Sequence, residues 1–225
     1  MKQILYLLVV LFFIGCGNSK NSPEFIKAVT GNYLFNANET IGVSFVENEM
    51  FVRWRGRENI KPLKVNDSTF YVQEMNEKFI FKIKPTIHIE LAEKREHEGE
   101  TIKFPKMVLG QKTPKEYFDN DQFDKALEGY LSIQKNNPKS RSIRETDLNR
   151  LGYLALTKKE YNKAIKIFKL NTILHPKSSN AFDSLGEAYH RNKDSVNAIV
   201  SFKKALELNP KSTRAKKYIN EQILE

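Results

Sequence analysis

One cysteine, Cys16, is all that this chain of 225 residues contains, so it can form no internal disulfide and no thiolate metal site of its own. Catalysis by a cysteine nucleophile is equally poorly served, because Cys16 lies ahead of any foldable pattern. Histidine is scarce: His88 falls in a strand pattern, His97 in a turn, His175 beside Pro176 and His190 in a helical stretch. None has a partner at the H-E-x-x-H spacing, and no G-x-G-x-x-G or G-x-x-x-x-G-K-[ST] loop is present to cradle a phosphate. No metal and no cofactor are expected. No apolar run approaches the about 20 residues that span a bilayer; the longest, at 4–14, has eleven. Acidic residues are missing from the first 23 positions.

What is present is a composition ordinary for a folded body, 40% hydrophobic and 28% charged, with a net charge of +10. The charge is uneven. Residues 24–110 hold 13 basic and 13 acidic side chains, whereas 111–225 hold 22 and 14, a net +8. This break near 110 predicts two domains. A basic surface of this kind attracts nucleic acid, anionic lipid or acidic protein, and the compartment decides among them.

The N-terminus speaks to the compartment. Lys2 precedes "ILYLLVVLFFI", which has the proportions of a secretory signal core and no polar residue at helical spacing. The "FIGC" that closes it resembles the lipobox of bacterial lipoproteins. That resemblance implies removal of 1–15 as a signal peptide and acylation of Cys16, with palmitate-like chains holding the protein on a membrane. Residues 16–23 then read as a short flexible tether. No acidic run follows Cys16, so a periplasm-facing place in the cell envelope is expected, and with export no nucleic-acid partner.

Residues 24–110 read as a β domain. Ile41, Val43 and Phe45 alternate along one run, Phe79, Phe81 and Ile83 along another, and Ile87, Ile89 and Leu91 along a third. Turn signals such as "VENE", "RGREN" and "VNDS" separate about eight short strands, near 31–36, 40–47, 49–55, 60–65, 68–74, 77–84, 86–92 and 101–107. This spacing predicts a small antiparallel barrel or a curled meander. In "FVRWRGR", Val52 and Trp54 should point inward and Arg53 and Arg55 outward, with Gly56 in the turn. Gly31 and Tyr33, "MFVRWRG", Pro62-Leu63 and Ser68 to Phe70 together resemble the accessory domain C-terminal to serine β-lactamase-like hydrolases.

Residues 111–225 repeat with a period of 34: Gly152 returns as Gly186, Ala164 as Ala198, Phe168 as Phe202 and Pro176 as Pro210. The copy at 179–212 reads Phe182-x2-Leu185-Gly186-x2-Tyr189, then Ala198-x3-Phe202 and Pro210. The copy at 145–178 reads Leu148-x2-Leu151-Gly152-x2-Ala155, then Ala164-x3-Phe168 and Pro176. A degenerate copy at 107–140 keeps Ala126-x3-Tyr130 and Pro138, and 213–225 reads as an amphipathic capping helix. The pattern resembles the tetratricopeptide (TPR) repeat. Small residues let paired helices approach, aromatics fill the gap, and proline stops a helix. The resemblance implies a superhelix that binds an extended peptide or partner helix in a concave groove. By repeat register that groove is lined by Asn149, Arg150, Tyr153, Asn180, Asp183, Glu187, His190 and Arg191, unless the face is merely solvated or covered by the β domain.

Matches to the hydrolase motifs S-x-x-K, Y-x-N and H-x-G occur at Ser132–Lys135, Tyr218–Asn220 and His97–Gly99, but in the wrong elements and the wrong order. The catalytic domain of that family is also expected not to fit in what remains of the chain. No enzymatic activity is expected. The fold expected is α+β, a small antiparallel barrel or curled meander followed by a helical TPR superhelix. The function expected is that of a membrane-anchored lipoprotein that binds or scaffolds a protein or peptide partner. The alternatives are an accessory or regulatory subunit acting in trans on a serine β-lactamase-like hydrolase, or a carrier holding an apolar ligand in the barrel.

Overall fold

The computed structural model describes residues 20–223, so the apolar run, Cys16 and the first part of the expected tether lie outside the described residues. At the far end of that tether the chain forms a helix, α1 (Pro23–Val29). Its start is locally encoded. Ser22 Oγ accepts from the Phe25 amide at 3.1 Å, Pro23 occupies the first turn, where no N–H is needed, and Glu24 faces the positive end of the helix dipole.

Nine strands follow: β1 (Gly31–Leu34), β2 (Thr40–Val46), β3 (Glu49–Trp54), β4 (Arg57–Ile60), β5 (Leu63–Asn66), β6 (Thr69–Val72), β7 (Glu77–Lys82), β8 (His88–Leu91) and β9 (Lys103–Pro105). The two-residue turns Glu47-Asn48 and Arg55-Gly56 have positive φ at both positions, which matches the twist of the strands they join. The strands form two antiparallel meanders, β1 to β4 and β5 to β9. Between them lies Pro62, which has no N–H to give to a ladder, so the strand expected near 60–65 is two strands and the count is nine, not eight. At the other edge, Tyr33 bridges Lys106 and the Met107 amide donates to Asn32 O at 2.8 Å. That single bridge does not close a cylinder. The closed barrel is therefore corrected to two unclosed sheets around one core.

Val52 is buried and Arg53 and Arg55 are exposed, as the alternation of β3 requires, while Trp54 is half-buried beneath the Arg55 guanidinium. Ile83 lies past the end of β7 and is exposed. The β core holds Tyr33, Ile41, Phe70, Phe79, Phe81, Ile89 and Phe104. Phe25 of α1 adds a ring stacked on Phe70 at 6.2 Å and edge-on to Phe81 at 5.9 Å. The interior is thus occupied by the protein's own side chains, each worth about 1.5–3 kcal/mol when fully buried.

The helical half comprises α2 (Pro114–Asp119), α3 (Phe123–Asn136), α4 (Glu145–Thr157), α5 (Tyr161–Leu174), α6 (Ser179–Arg191), α7 (Ser195–Leu208) and α8 (Thr213–Ile223). The pair α6/α7 repeats the pair α4/α5, with Ser179 and Ser195 standing one repeat period after Glu145 and Tyr161. Glycines set the separation within each pair. A Cβ on Gly152 would lie 2.4 Å from the Phe168 ring, and one on Gly186 would lie 2.7 Å from Phe202. The first pair also closes on a glycine, since a Cβ on Gly129 would lie 2.5 Å from Pro114 Cγ, but it departs from the repeat period. The step from the start of α3 at Phe123 to the start of α5 at Tyr161 exceeds the period by about one helical turn. A short 3-10 turn at Arg141–Ile143 lies between α3 and α4, and α2 has six residues where α4 and α6 have 13. Leu34, Ala37 and Met107 from the β half share a cluster with Ala126, Tyr130 and Ile143, and Ala37 O accepts from the Lys115 amide at 2.9 Å.

Candidate partner-binding surface

The register of α4 and α6 decides where the expected groove residues lie. Asn149 and Tyr153 sit on α4, and Asn180, Asp183, Glu187, His190 and Arg191 sit on α6. Asn180 Nδ2 donates to Glu145 Oε1 at 2.9 Å, and the Tyr153 and Ser184 hydroxyls meet at 3.2 Å, so α4 and α6 are joined along one face. The face continues onto α8. Asp183 is buried and accepts from Arg214 Nε at 2.6 Å, from Arg214 Nη2 and from Ser212 Oγ at 3.0 Å. The Arg214 guanidinium also lies over the Tyr153 ring, 5.8 Å from its centre.

Tyr153 and Asp183 are therefore held in a polar ladder that runs from α4 through α6 to α8. Arg191 Nε donates to Glu187 Oε1 at 2.6 Å, and the His190 ring meets Tyr218 edge-on at 4.9 Å. Asn180, His190 and Arg191 remain exposed. The buried Asn149 Oδ1 has no hydrogen-bond partner among the described residues. Arg150 is not brought to this face: it lines a separate cleft that faces α2 and α3.

Ser184, Ser212 and Arg214 belong to this ladder and were not among the expected residues. The signal for Arg214 was available, since it stands one repeat period after Asn180 and so holds the same register in the capping helix. The hydrolase-like matches fall on three separate elements. Ser132 is on α3, where Asn136 Nδ2 donates to its carbonyl at 2.8 Å. Tyr218 is buried on α8, with its ring centre 4.7 Å from that of Phe202. His97 is in a 3-10 turn, with Nε2 3.2 Å from Glu77 Oε1. Among the described residues no group of three or more His, Cys, Asp or Glu could hold a metal ion, and no helix is long and apolar enough to cross a membrane.

Helix pairs that recur at a fixed step, separated by glycine-on-aromatic contacts, are the arrangement against which known families can be compared. Residues 179–212 match the tetratricopeptide repeat. The chain is also 34% identical over 89 residues to superkiller protein 3 of Schizosaccharomyces pombe (strain 972 / ATCC 24843); the match covers 40% of this chain and 6% of that protein's length. Among solved structures, the first TPR domain of Spaghetti (RPAP3), bound to an HSP90 peptide, aligns with 49% of this chain and 86% of its own at 18% identity and a TM-score of 0.35. The Sgt2 TPR domain from Aspergillus fumigatus aligns with 48% of this chain and 70% of its own at 20% identity and a TM-score of 0.34.

The cleft lined by Arg150 is also lined by Phe118, Tyr130, Leu151 and Leu154. Burial, and to a lesser degree the Asp119 carboxylate, pushes the Tyr130 hydroxyl up to about 12, so it stays protonated and can donate at any physiological pH.

Proposed function

We propose that this protein is a bacterial lipoprotein, held at the cell envelope through acylated Cys16, whose helical half is a tetratricopeptide array that binds a protein or peptide partner. The observation that carries the reading is the regular step between two glycine-packed helix pairs, the second of which matches the repeat family over 179–212. Repeats of this kind stack into surfaces that recognise other chains. The net +8 of residues 111–225 supports a partner with acidic character. A short apolar run ending in "FIGC" supports the anchor. The Gly31-to-Phe70 resemblance supports a relation to serine β-lactamase-like hydrolases, with this chain acting beside such an enzyme and not as one.

The test is fractionation and capture with the full chain. The wild type should enter the membrane fraction, carry acyl mass and retain a partner from its own envelope extract. Cys16→Ser should lose both the membrane association and the acyl mass. Equal partitioning of the two forms, with acyl mass on neither, refutes the anchor. A wild type that retains no partner refutes the binding role.

A further inference from the structure

One repeat apart, α4 and α6 hold equivalent places, yet one of their faces is treated differently. On α6 the face turned to α5 carries Leu185 and Ala188, which are 7% and 0% exposed. One repeat earlier, Leu151 and Leu154 hold the same positions on α4 and are 44% and 47% exposed. The difference comes from the first pair. α2 has only six residues, and α3 is tied past α4 to α5, through Gln134 Nε2 donating to Leu174 O at 2.8 Å. What remains is a cleft of about 750 Å³ between α2 with α3 on one wall and α4 with α5 on the other, with Phe35 and Arg55 at one end.

We propose that this cleft receives an amphipathic α-helix from a partner protein, apolar on one side and acidic on its flanks, which covers Leu151 and Leu154 as α5 covers Leu185 and Ala188. The proposal deepens the partner-binding reading and rests on it. Two observations fix the class of occupant. The first is shape. Leu151 and Leu154 form a ridge one turn long on α4, and helix ridges pack into the grooves of another helix.

The second is charge. Seven basic side chains line the cleft against four acidic ones. Five of those bases are themselves in ion pairs, Arg55 with Glu39, Lys115 with Asp119, Lys139 with Glu98, Arg150 with Asp147 and Lys163 with Glu160, so the lining as a whole keeps a net excess of three positive charges. Acidic flanks on the occupant would therefore meet a positive rim, whereas a basic helix would be repelled. A nucleic acid would satisfy the rim and leave the leucines exposed.

The experiment uses the full chain in nanodiscs of zwitterionic lipid and measures fluorescence anisotropy, corrected on empty discs. The probe is a labelled peptide of about 14 residues, with leucine at i, i+3 and i+7 and glutamate on both flanks. Two further peptides carry lysine for glutamate, or the same leucines redistributed around the helix. The acidic amphipathic peptide should bind saturably and at least about tenfold more tightly than either comparison. Leu154→Glu should weaken it by about tenfold while the circular dichroism at 222 nm is unchanged; Leu154→Ser is the milder substitute if Leu154→Glu fails to fold. No saturable binding, equal binding of the redistributed peptide, or an affinity unmoved by Leu154→Glu and Leu154→Ser overturns the proposal. So does displacement of the peptide by a short single-stranded DNA that binds more tightly. If the envelope partner is retained by Leu154→Glu but lost with Arg191→Glu, the partner-binding reading stands and this cleft fails. If the wild type retains no partner at all, both fail.

Discussion

Replacing Gly152 with alanine sets two effects of known size against each other. In an isolated helix the change would help, since glycine costs about 0.8–1.0 kcal/mol relative to alanine in a helix interior. In α4 the new methyl would sit 2.4 Å from Phe168 Cε1 and Cζ, well inside ordinary van der Waals contact. Phe168 is fully buried, packed among Ala164, Ile165 and Ala188 and edge-on to Tyr153 at 5.3 Å, so its ring has no free direction. Overpacking of this kind costs about 1–3 kcal/mol, and the closeness here argues for the upper part of that range. The net expectation is a loss of about 1–2 kcal/mol.

Urea unfolding followed at 222 nm reads the helical half directly. Gly186→Ala, whose methyl would sit 2.7 Å from Phe202, should lose less than Gly152→Ala. Phe168→Leu removes the ring atoms that clash, so in that background Gly152→Ala should turn neutral or stabilising, with a coupling between the two sites of about 1–3 kcal/mol. If Gly152→Ala raises stability in the wild-type background, or if Phe168→Leu and Gly152→Ala simply add, the glycine is not there for helix approach and the packing argument is wrong.

Other perturbations test other parts of the molecule. Asp183→Ala should cost about 1–3 kcal/mol in urea unfolding, because it strips Arg214 and Ser212 of their acceptor where α8 joins α6; Asp183→Asn should cost less, since it keeps an acceptor oxygen. Thr113→Ala should cost about 1 kcal/mol by removing the side-chain half of the capping box that starts α2, in which Thr113 Oγ1 accepts from the Glu116 amide at 3.3 Å and donates to Glu116 Oε2 at 2.8 Å, while the Thr113 amide keeps its own bond to Glu116 Oε2 at 2.8 Å. The same hydrogen bonds, from the Thr113 backbone first and its side chain second, hold the Glu116 carboxyl below its usual range. A depressed folded-state pKa contributes stability that is present above the unfolded value and lost as pH falls through the folded one, so Glu116→Gln should flatten that part of the acid limb in a titration of stability. Ala198→Trp should cost about 1–3 kcal/mol or more by forcing an indole into the fully buried contact between α6 and α7, whereas Lys→Glu changes at exposed Lys158 and Lys163 should stay within about 0.5 kcal/mol.

How far these features could be read from the chain depends on the range of the interaction behind each. Alternation within a strand is a property of neighbours two positions apart, so Phe79 and Phe81, or Ile89 and Leu91, announce their shared face without the rest of the fold. The starts of α4 to α7 are equally legible, because the repeated Gly, Ala, Phe and Pro report the same helix contact twice. α1 is local as well, written in Ser22, Pro23 and Glu24, yet it is overlooked when only period-two patterns are followed through that region. Barrel closure is different. It depends on whether β4 and β5 pair, and one proline between two acceptable strand patterns settles that without disturbing either.

The candidate surfaces show the same division more sharply. Register alone places Tyr153 and Asp183 on one face, because that is a matter of helical geometry. Whether those side chains are free depends on α8, whose Arg214 donates to Asp183 where α8 joins α6. The cleft is harder still, because no residue in it carries an unusual signal. Leu151 and Leu154 are the residues a buried repeat position calls for, and they differ from Leu185 and Ala188 only in what lies opposite. What leaves them uncovered is a shortened α2 and a step from α3 to α5 that is longer than the step from α5 to α7. The internal spacing Ala126-x3-Tyr130 with Pro138 is intact, so the first copy looks merely degenerate when it is compared only with itself. Measured against its neighbour, the same copy is displaced by about one helical turn. A repeat that keeps its letters and changes its phase preserves its own fold while opening a gap to the next, and that gap is where an added helix has room to dock.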